Sequence, residues 1–486
     1  MNVLVIGSGF SSLASACYLA QKGYNVTILE KNADIGGRAR QLKRDGFTFD
    51  IGPTFYWMPD VFDRFFNDFG KSPEDYYKLE QLNPGYEVFF GKEDSIKVSS
   101  NFNEIKQTFE KEEQGAANAL QGFIDLAEDN YNIAIKDLVY KPGESPLELV
   151  TAKTVTKVGQ FTSTIRTQVG KKLTSPKLKS ILEFPVLFLG AKPSNTPGFY
   201  NFMNYADFKL GTWHPHGGMY MVIKGMESLA LELGVKIETG ANVTGFEFDG
   251  DTIKSVQTSS KSYTADIIVS GADYHHTETL LPETFRQYKE SYWDKKVFAP
   301  SALLFYVGFD SKLDKVSHHT LFFDTPFDDH AYEIYDKPNW PKKPLFYASF
   351  PSITDDTSAP EGKEAGIFLI PIAPDLEDTP ELREKYFDMI MTRFESLTNQ
   401  KIKEKVLFKE SYCVNDFKED YNSYKGNAYG LANILLQTAF LRPKLKSKKV
   451  SNLFFTGQLT VPGPGVPPSL ISGKITSELV EKHFKI

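Results

Sequence analysis

The first residues able to do chemistry are Gly7 and Gly9, followed directly by Phe10, Ser11 and Ser12. Glycines at that spacing let the backbone approach a pyrophosphate, whose charge the free N–H groups of a helix N-terminus then hold. Glu30 lies near the position where an acid bonds a ribose hydroxyl. Gly36-Gly37-Arg38 follows closely, and a second glycine pair with an arginine suits a second pyrophosphate contact. Near the other end, Gly457, Gly465, Val466 and Pro467 read as a strand end and a helix start, another place to stabilise negative charge. Ser12 stands where such a turn usually has its third glycine, whose job is close helix–strand packing. Serine is small, so the turn is expected to tolerate it.

Regular elements must position these groups. Val3 to Ile6 is a continuous apolar run of the kind buried in a parallel sheet. Leu13, Ala16, Cys17 and Ala20 recur at helical spacing, which predicts a helix from about Phe10 to Gly23. A second strand over Val26 to Leu29 completes a βαβ unit ending at Glu30. Asp45-Gly46, between QLKR and FTFD, reads as a hairpin turn leading into Asp50-Ile51-Gly52-Pro53.

With these motifs in place, the chain resembles the superfamily of FAD-containing amine oxidases and carotenoid desaturases, and within it the bacterial-type phytoene desaturases. YWMPDVFDRFF (56–66), GTWHPHGGMYMVIKGMESLALELGVKI (211–237), ADIIVSGAD (265–273) and VPGPGVPPSLISGKI (461–475) all resemble that family's motifs, in the family's order. The resemblance implies FAD on Gly7, Gly9, Phe10, Ser11, Glu30, Lys31, Gly37, Arg38, Gly52, Pro53, Thr54, Val243, Gly457, Gly465, Val466 and Pro467. It implies an α/β fold: a two-dinucleotide-binding-type, Rossmann-like FAD domain interleaved with an α+β substrate domain. The FAD domain would comprise 1–100, 215–300 and 425–486; a substrate-binding, membrane-facing domain would comprise 101–214 and 301–424. The implied reaction removes two hydrogens from a long polyene, one as hydride to flavin N5 and one as a proton. The developing cation is allylic, so its neighbouring proton is acidic and a weak base or water suffices. Asp207, His214 and His216 are candidates for that role by their closeness to the Pro-x-Gly-Gly turn.

Composition narrows the partners. A net charge of −7 argues against nucleic acid, and two cysteines, Cys17 and Cys413, leave no disulfide framework or structural zinc site. No histidine shows zinc-site spacing, so no metal is expected. The N-terminus reads as a strand and not a signal peptide, and no apolar run approaches the roughly 20 residues that span a bilayer. Between Leu149 and Leu182 stand Lys153, Lys157, Arg166, Lys171, Lys172, Lys177 and Lys179 without one acid, just before LEFPVLFLGAKP. Cations beside apolar groups suit a surface resting on anionic lipid. The expectation is a cytoplasmic protein peripheral to the inner face of the cell membrane, taking a phytoene-like polyene and reoxidised by quinone or oxygen. Alternatives are a desaturase of a later, hydroxylated carotenoid (a 1-hydroxycarotenoid 3,4-desaturase) or of an apocarotenoid; more distantly, an FAD amine oxidase or a non-enzymatic prenyl-binding escort protein. An amine oxidase would often carry its flavin on a cysteine, and neither Cys17 nor Cys413 lies in the closing motif.

Overall fold

The computed structural model describes residues 1–151, 154 and 156–485. Strand β1 (Asn2–Ile6) enters helix α1 (Phe10–Gln21), which returns to strand β2 (Asn25–Leu29). Leu4 lies beside Thr27 in a parallel register. Strands Lys236–Glu238, Ile267–Ser270 and Leu453–Phe455 complete a five-stranded parallel sheet in the order 453–455, 267–270, β1, β2, 236–238. Layers cover both faces, so Val3 to Ile6 are all buried and the strand reads as an unbroken apolar run. The C-terminal helix Val466–His483 lies against α1. A Cβ added to Gly473 would sit 2.6 Å from the Ala14 Cβ, which is why the two helices can touch.

Strands β3 (Gln41–Arg44) and β4 (Phe47–Asp50) form the expected hairpin. Asp45 and Gly46, at φ 50° and 81°, take the left-handed conformations that a two-residue hairpin turn requires. Helix α2 (Pro59–Asn67) follows, opened by a proline in its first turn.

A second sheet of seven strands runs in the order 406–412, 301–309, 364–372, 346–349, 319–322, 86–91, 94–98. All its pairs are antiparallel except 319–322 with 86–91. Residues 86–98 therefore belong to this sheet and not with the dinucleotide-binding elements, where the sequence reading put them. The reason is long-range pairing: alternating strands such as Tyr86–Gly91 look alike from sequence whichever sheet receives them. No helix among the described residues is long and apolar enough to cross a membrane.

Candidate active site

One large cavity, ≈ 830 Å³, runs between the two sheets. Its polar end is built by the βαβ unit. Helix α1 starts at Phe10 behind Gly9, with no side chain capping its N-terminus and no acid in its first turn. Its first N–H groups and the helix dipole are thus available to an anion. Glu30 follows β2 and is buried; its Oε2 accepts from the Ser8 amide at 2.9 Å and from the Ser8 hydroxyl, and its Oε1 from the Asn32 amide at 2.8 Å. Gly37 packs on the turn itself: a Cβ there would lie 3.2 Å from the Gly9 Cα.

Arg38 lines the same end. Among the described residues it has no ion-pair partner, its hydrogen bonds are the long ones of 3.4 and 3.5 Å to the Ser423 hydroxyl and the Asn427 carbonyl, its buried Nε has none, and its guanidinium lies over the Tyr421 ring at 4.9 Å. Burial pulls its pKa below the ordinary value, against the opposing pull of Tyr421 and Asp273. An uncapped helix start, a buried carboxylate and an underused guanidinium around one cavity fit a dinucleotide with its pyrophosphate and ribose.

All sixteen residues expected to hold the cofactor line this cavity, from Gly7 through Thr54 and Val243 to Pro467. Gly52 passes so close to Arg38 that a Cβ would fall 2.2 Å from the Arg38 carbonyl oxygen. Lys31 turns its ammonium away to the Glu419 carbonyl, so it contributes through its other atoms. On the far wall, Ala302, Leu304, Leu321, Tyr347, Leu369 and Pro371 point in from the second sheet at every other position. The cavity reaches solvent beside Leu435, Leu436 and Leu441, which are 50%, 75% and 38% exposed while also lining it.

Asp207, His214 and His216 are not among the described lining residues. Asp207 is buried and accepts from the Tyr86 hydroxyl at 2.8 Å; burial pushes its pKa up to about 7 despite that bond. His214 Nε2 lies 3.0 Å from Asp355 Oδ2, which also accepts from the Gly217 amide at 2.6 Å. Burial alone would raise the pKa of Asp355, but the bonds from His214, Thr357 and Gly217 hold it below the usual carboxylate range. Asp50 accepts from the amides of Met219 at 2.7 Å and Tyr220 at 3.3 Å. Two carboxylates thus tie down the Pro-x-Gly-Gly turn, and the histidines beside it serve that knot. His216 is half-buried, 3.6 Å from Asp355 Oδ1. Although His216, Asp355 and Asp356 bring ligand atoms within 4.8 Å of one another, both Asp355 oxygens are already engaged by the turn and by Thr357.

Residues that the sequence reading did not single out stand on the cavity wall. The Tyr347 hydroxyl lies 2.8 Å from the Thr54 hydroxyl and 2.7 Å from His319 Nδ1, while Phe55 stacks on the His319 ring at 3.9 Å. Burial drops the pKa of His319 well below that of a free imidazole, so the ring is neutral. Tyr335 and Tyr429 also line the cavity. No local motif marks these positions; only the pleat of a strand paired from afar aims Tyr347 inward. The two cysteines, Cys17 and Cys413, are buried, do not line the cavity, and burial raises both thiol pKa values.

Three of the seven basic residues in the segment are paired with acids. Arg166 pairs with Glu183 at 2.9 Å and Asp328 at 2.6 Å, Lys177 pairs with Asp94 at 2.8 Å, and Lys157 with Asp129. Lys171 and Lys172 are exposed, and Lys153 lies outside the described residues.

A family profile described as flavin containing amine oxidoreductase matches residues 10–480. The chain is 41% identical over 483 residues to a carotenoid 3,4-desaturase of Haloarcula japonica, covering 98% of this chain and 97% of that protein. It is 30% identical over 494 residues to a 4,4'-diapophytoene desaturase (4,4'-diaponeurosporene-forming) of Staphylococcus haemolyticus, covering 98% of each. Among solved structures, an oxidoreductase from Methanosarcina mazei superposes with a TM-score of 0.63 at 17% identity, over 98% of this chain and 100% of that one. A putrescine oxidase variant gives 0.64 at 12% identity over 99% of each chain. At those identities the two structures speak to the fold.

Proposed function

The chain belongs to the flavin containing amine oxidoreductase family and is an FAD-dependent carotenoid desaturase, and from that premise we propose that it dehydrogenates the C3–C4 bond of a carotenoid end. The observation that carries the proposal is the cavity, which joins a dinucleotide cradle at one end to a rim of exposed leucines at the other. An apolar chain can enter at the rim and present one bond beside Thr54 and Tyr347. The order of readings differs from the one that sequence motifs suggested, because the 3,4-desaturase is the nearer of the two relatives, at 41% against 30% identity. Desaturation of phytoene remains the second reading, favoured by the diapophytoene desaturases.

The sixteen residues that line the polar end would hold FAD, with Glu30 toward the ribose, and α1 and Arg38 toward the pyrophosphate. Bound there, FAD supplies the acceptor for one hydrogen with its electron pair. The protein's part is binding, orientation and exclusion of water. The alternating apolar side chains of the second sheet clasp the polyene and keep the developing cation from being trapped by solvent. The hydrogen bond to Thr54 fixes the Tyr347 phenol at the wall. The remaining hydrogen leaves as a proton while its C–H pair becomes the new double bond, a loss that the allylic cation makes easy.

The test is expression in two bacterial hosts, one accumulating phytoene and one accumulating a coloured acyclic carotenoid with saturated C3–C4 bonds, followed by pigment spectra. A red shift matching one added double bond per processed end in the second host supports the proposal. Colour in the first host with no shift in the second moves the assignment to phytoene.

The same rim supports a membrane partner, from which such a substrate and a quinone could both be drawn. Leu147 and Val150, 76% and 62% exposed, stand in the segment tied to 435–444 by the Lys444 ammonium, which donates to the Gly143 carbonyl at 2.6 Å. Since three of the basic residues are paired, attachment should depend more on leucines than on charge. Replacing Leu435 and Leu436 by Ser is expected to cut co-sedimentation with neutral and anionic vesicles alike. Binding that depends only on anionic lipid would refute that account.

A further inference from the structure

The cavity wall brings a phenol and an imidazole together across two strands. Strands 319–322 and 346–349 pair antiparallel, with Leu321 opposite Tyr347. His319, two residues before Leu321, therefore shares the sheet face that Leu321 and Tyr347 turn to the cavity. A diagonal cross-strand pair is within reach of long side chains, and here the Tyr347 hydroxyl meets His319 Nδ1 at 2.7 Å. On its other side the same hydroxyl meets the Thr54 hydroxyl at 2.8 Å, at the edge of the cofactor cradle. Tyr347 lines the cavity, whereas His319 is fully buried behind it with the Phe55 ring stacked on it at 3.9 Å.

The carboxylates and imidazoles among the described lining residues are engaged or stand at the cofactor end. His330 uses both ring nitrogens: Nε2 meets the Pro371 carbonyl at 2.8 Å and Nδ1 meets the Leu345 amide at 3.1 Å. Glu148 accepts from the amides of Gly143, Glu144 and Ser145, Asp420 pairs with Arg40, and Asp273 accepts from the amides of His276 and Tyr424. Glu30 holds the glycine turn, and His276 belongs to helix Tyr274–Thr279, which follows the strand beside β1. His319 differs. Burial keeps its ring neutral, and a neutral imidazole has one nitrogen free of a proton. Its Nε2 has no hydrogen-bond partner among the described residues. A phenol carries one proton and two lone pairs. Donating to Nδ1 and accepting from Thr54, the Tyr347 oxygen keeps one lone pair for the cavity.

We propose that Tyr347, backed by His319, takes the proton that the polyene loses. The proposal rests on the carotenoid desaturase reading. Asp207, His214 and His216, to which the sequence pointed for this role, do not line the cavity. The substrate C–H bond breaks, its electron pair becomes the new double bond, and the proton binds the free lone pair of the Tyr347 oxygen. In the same step the phenol's own proton passes along the 2.7 Å bond to His319 Nδ1. The phenol is thereby restored, and the positive charge that hydride loss left on the polyene ends on the imidazolium. No phenolate forms, which suits a phenol whose pKa burial raises. Burial also disfavours the imidazolium, so His319 returns to its neutral form for the next turnover. Water is then not required as the acceptor in a cavity that excludes it.

The experiment uses FAD-loaded full-length protein with liposomes carrying whichever polyene wild type desaturates in the two-host comparison. Tyr347→Phe removes the acceptor, and His319→Asn keeps a partner for the phenol that cannot take its proton. Each is expected to lower kcat roughly a hundredfold, the low end of what a positioned acid or base supplies, with KM within about threefold of wild type. The double variant should be no slower than the slower single one, because both act on one proton. Deuterium at the carbon that loses the proton should slow both variants more than it slows wild type, since proton loss has become the limiting step. A side chain that only shapes the wall would leave that isotope effect unchanged. FAD content and Tm near wild type show that a variant is folded; if His319→Asn does not fold, Tyr347→Phe and its isotope effect decide. Wild-type kcat in either folded variant overturns the proposal, as do slow variants with the wild-type isotope effect. Turnover of phytoene alone displaces the C3–C4 assignment, and the same comparison then runs on phytoene. Turnover of neither polyene by FAD-loaded wild type refutes the carotenoid desaturase reading itself, and the pair's role falls with it.

Discussion

Glu30→Ala is expected to give protein that purifies colourless, with FAD content after gel filtration below a tenth of wild type. Glu30 is buried at the end of β2 and faces the cavity that also holds Gly7, Gly9 and Arg38. Its carboxylate does two jobs. Bonds from the Ser8 amide, the Ser8 hydroxyl and the Asn32 amide hold the glycine turn in shape, and the carboxylate offers lone pairs to the ribose hydroxyls. A hydrogen bond to a charged group contributes about 1.5–3 kcal/mol, so losing the ribose contact alone lowers affinity roughly ten- to hundredfold. Losing the turn's organiser adds to this, because Ser8 also accepts from the Gly36 amide at 3.1 Å and so links the two glycine motifs.

Glu30→Gln separates the two jobs. It keeps one acceptor for Ser8 but removes the charge, so it should fold with near-normal Tm and bind FAD with intermediate affinity. Flavin absorbance at saturation and a dissociation constant by fluorescence quenching read both outcomes. Full FAD retention in the alanine variant would show that the ribose takes its contacts elsewhere.

The cofactor cradle was legible because its signals are local. Gly7, Gly9 and Glu30 lie within one βαβ unit, where turn, helix and strand follow one another in sequence. The hairpin at Asp45-Gly46 was legible for the same reason. The opposite wall was not. Tyr347 faces the cavity because 346–349 pairs with 319–322 and 364–372, and nothing near it in sequence announces that register. Tyr429 is further still from any motif, held by backbone contacts to residue 300. The reverse failure concerns His214: a histidine beside a glycine turn looks like chemistry, but its carboxylate partner Asp355 is 141 residues away, out of sight of any local reading. In the basic stretch before Leu182, Lys177, Lys157 and Arg166 meet acids at 94, 129 and 328, partners equally out of reach of a local reading.

The departure at Ser12 yields the second large prediction. The glycine usual at this position allows a helix to pack closely on its strand, and here the missing room is supplied from the other side. Gly271 follows strand Ile267–Ser270, next to β1, and a Cβ there would lie 2.0 Å from the Ser12 hydroxyl and 3.3 Å from the Ser12 Cβ. Gly271→Ala should therefore destabilise the protein by about 1–3 kcal/mol through overpacking and release FAD, because the clash pushes α1 off the turn it opens. Ser12→Gly in the same chain should recover most of that loss, less about 1 kcal/mol for glycine in a helix. The two residues touch, so a double-mutant cycle should return a clear coupling energy. Ser12→Ala alone points the other way. The Ser12 hydroxyl is buried with no hydrogen-bond partner among the described residues, so alanine is expected to raise Tm with FAD binding intact. Thermal melts of the four variants with and without added FAD decide it: additive losses in the cycle, or a Tm lowered by Ser12→Ala, would mean that the serine is held by something other than the space beside Gly271.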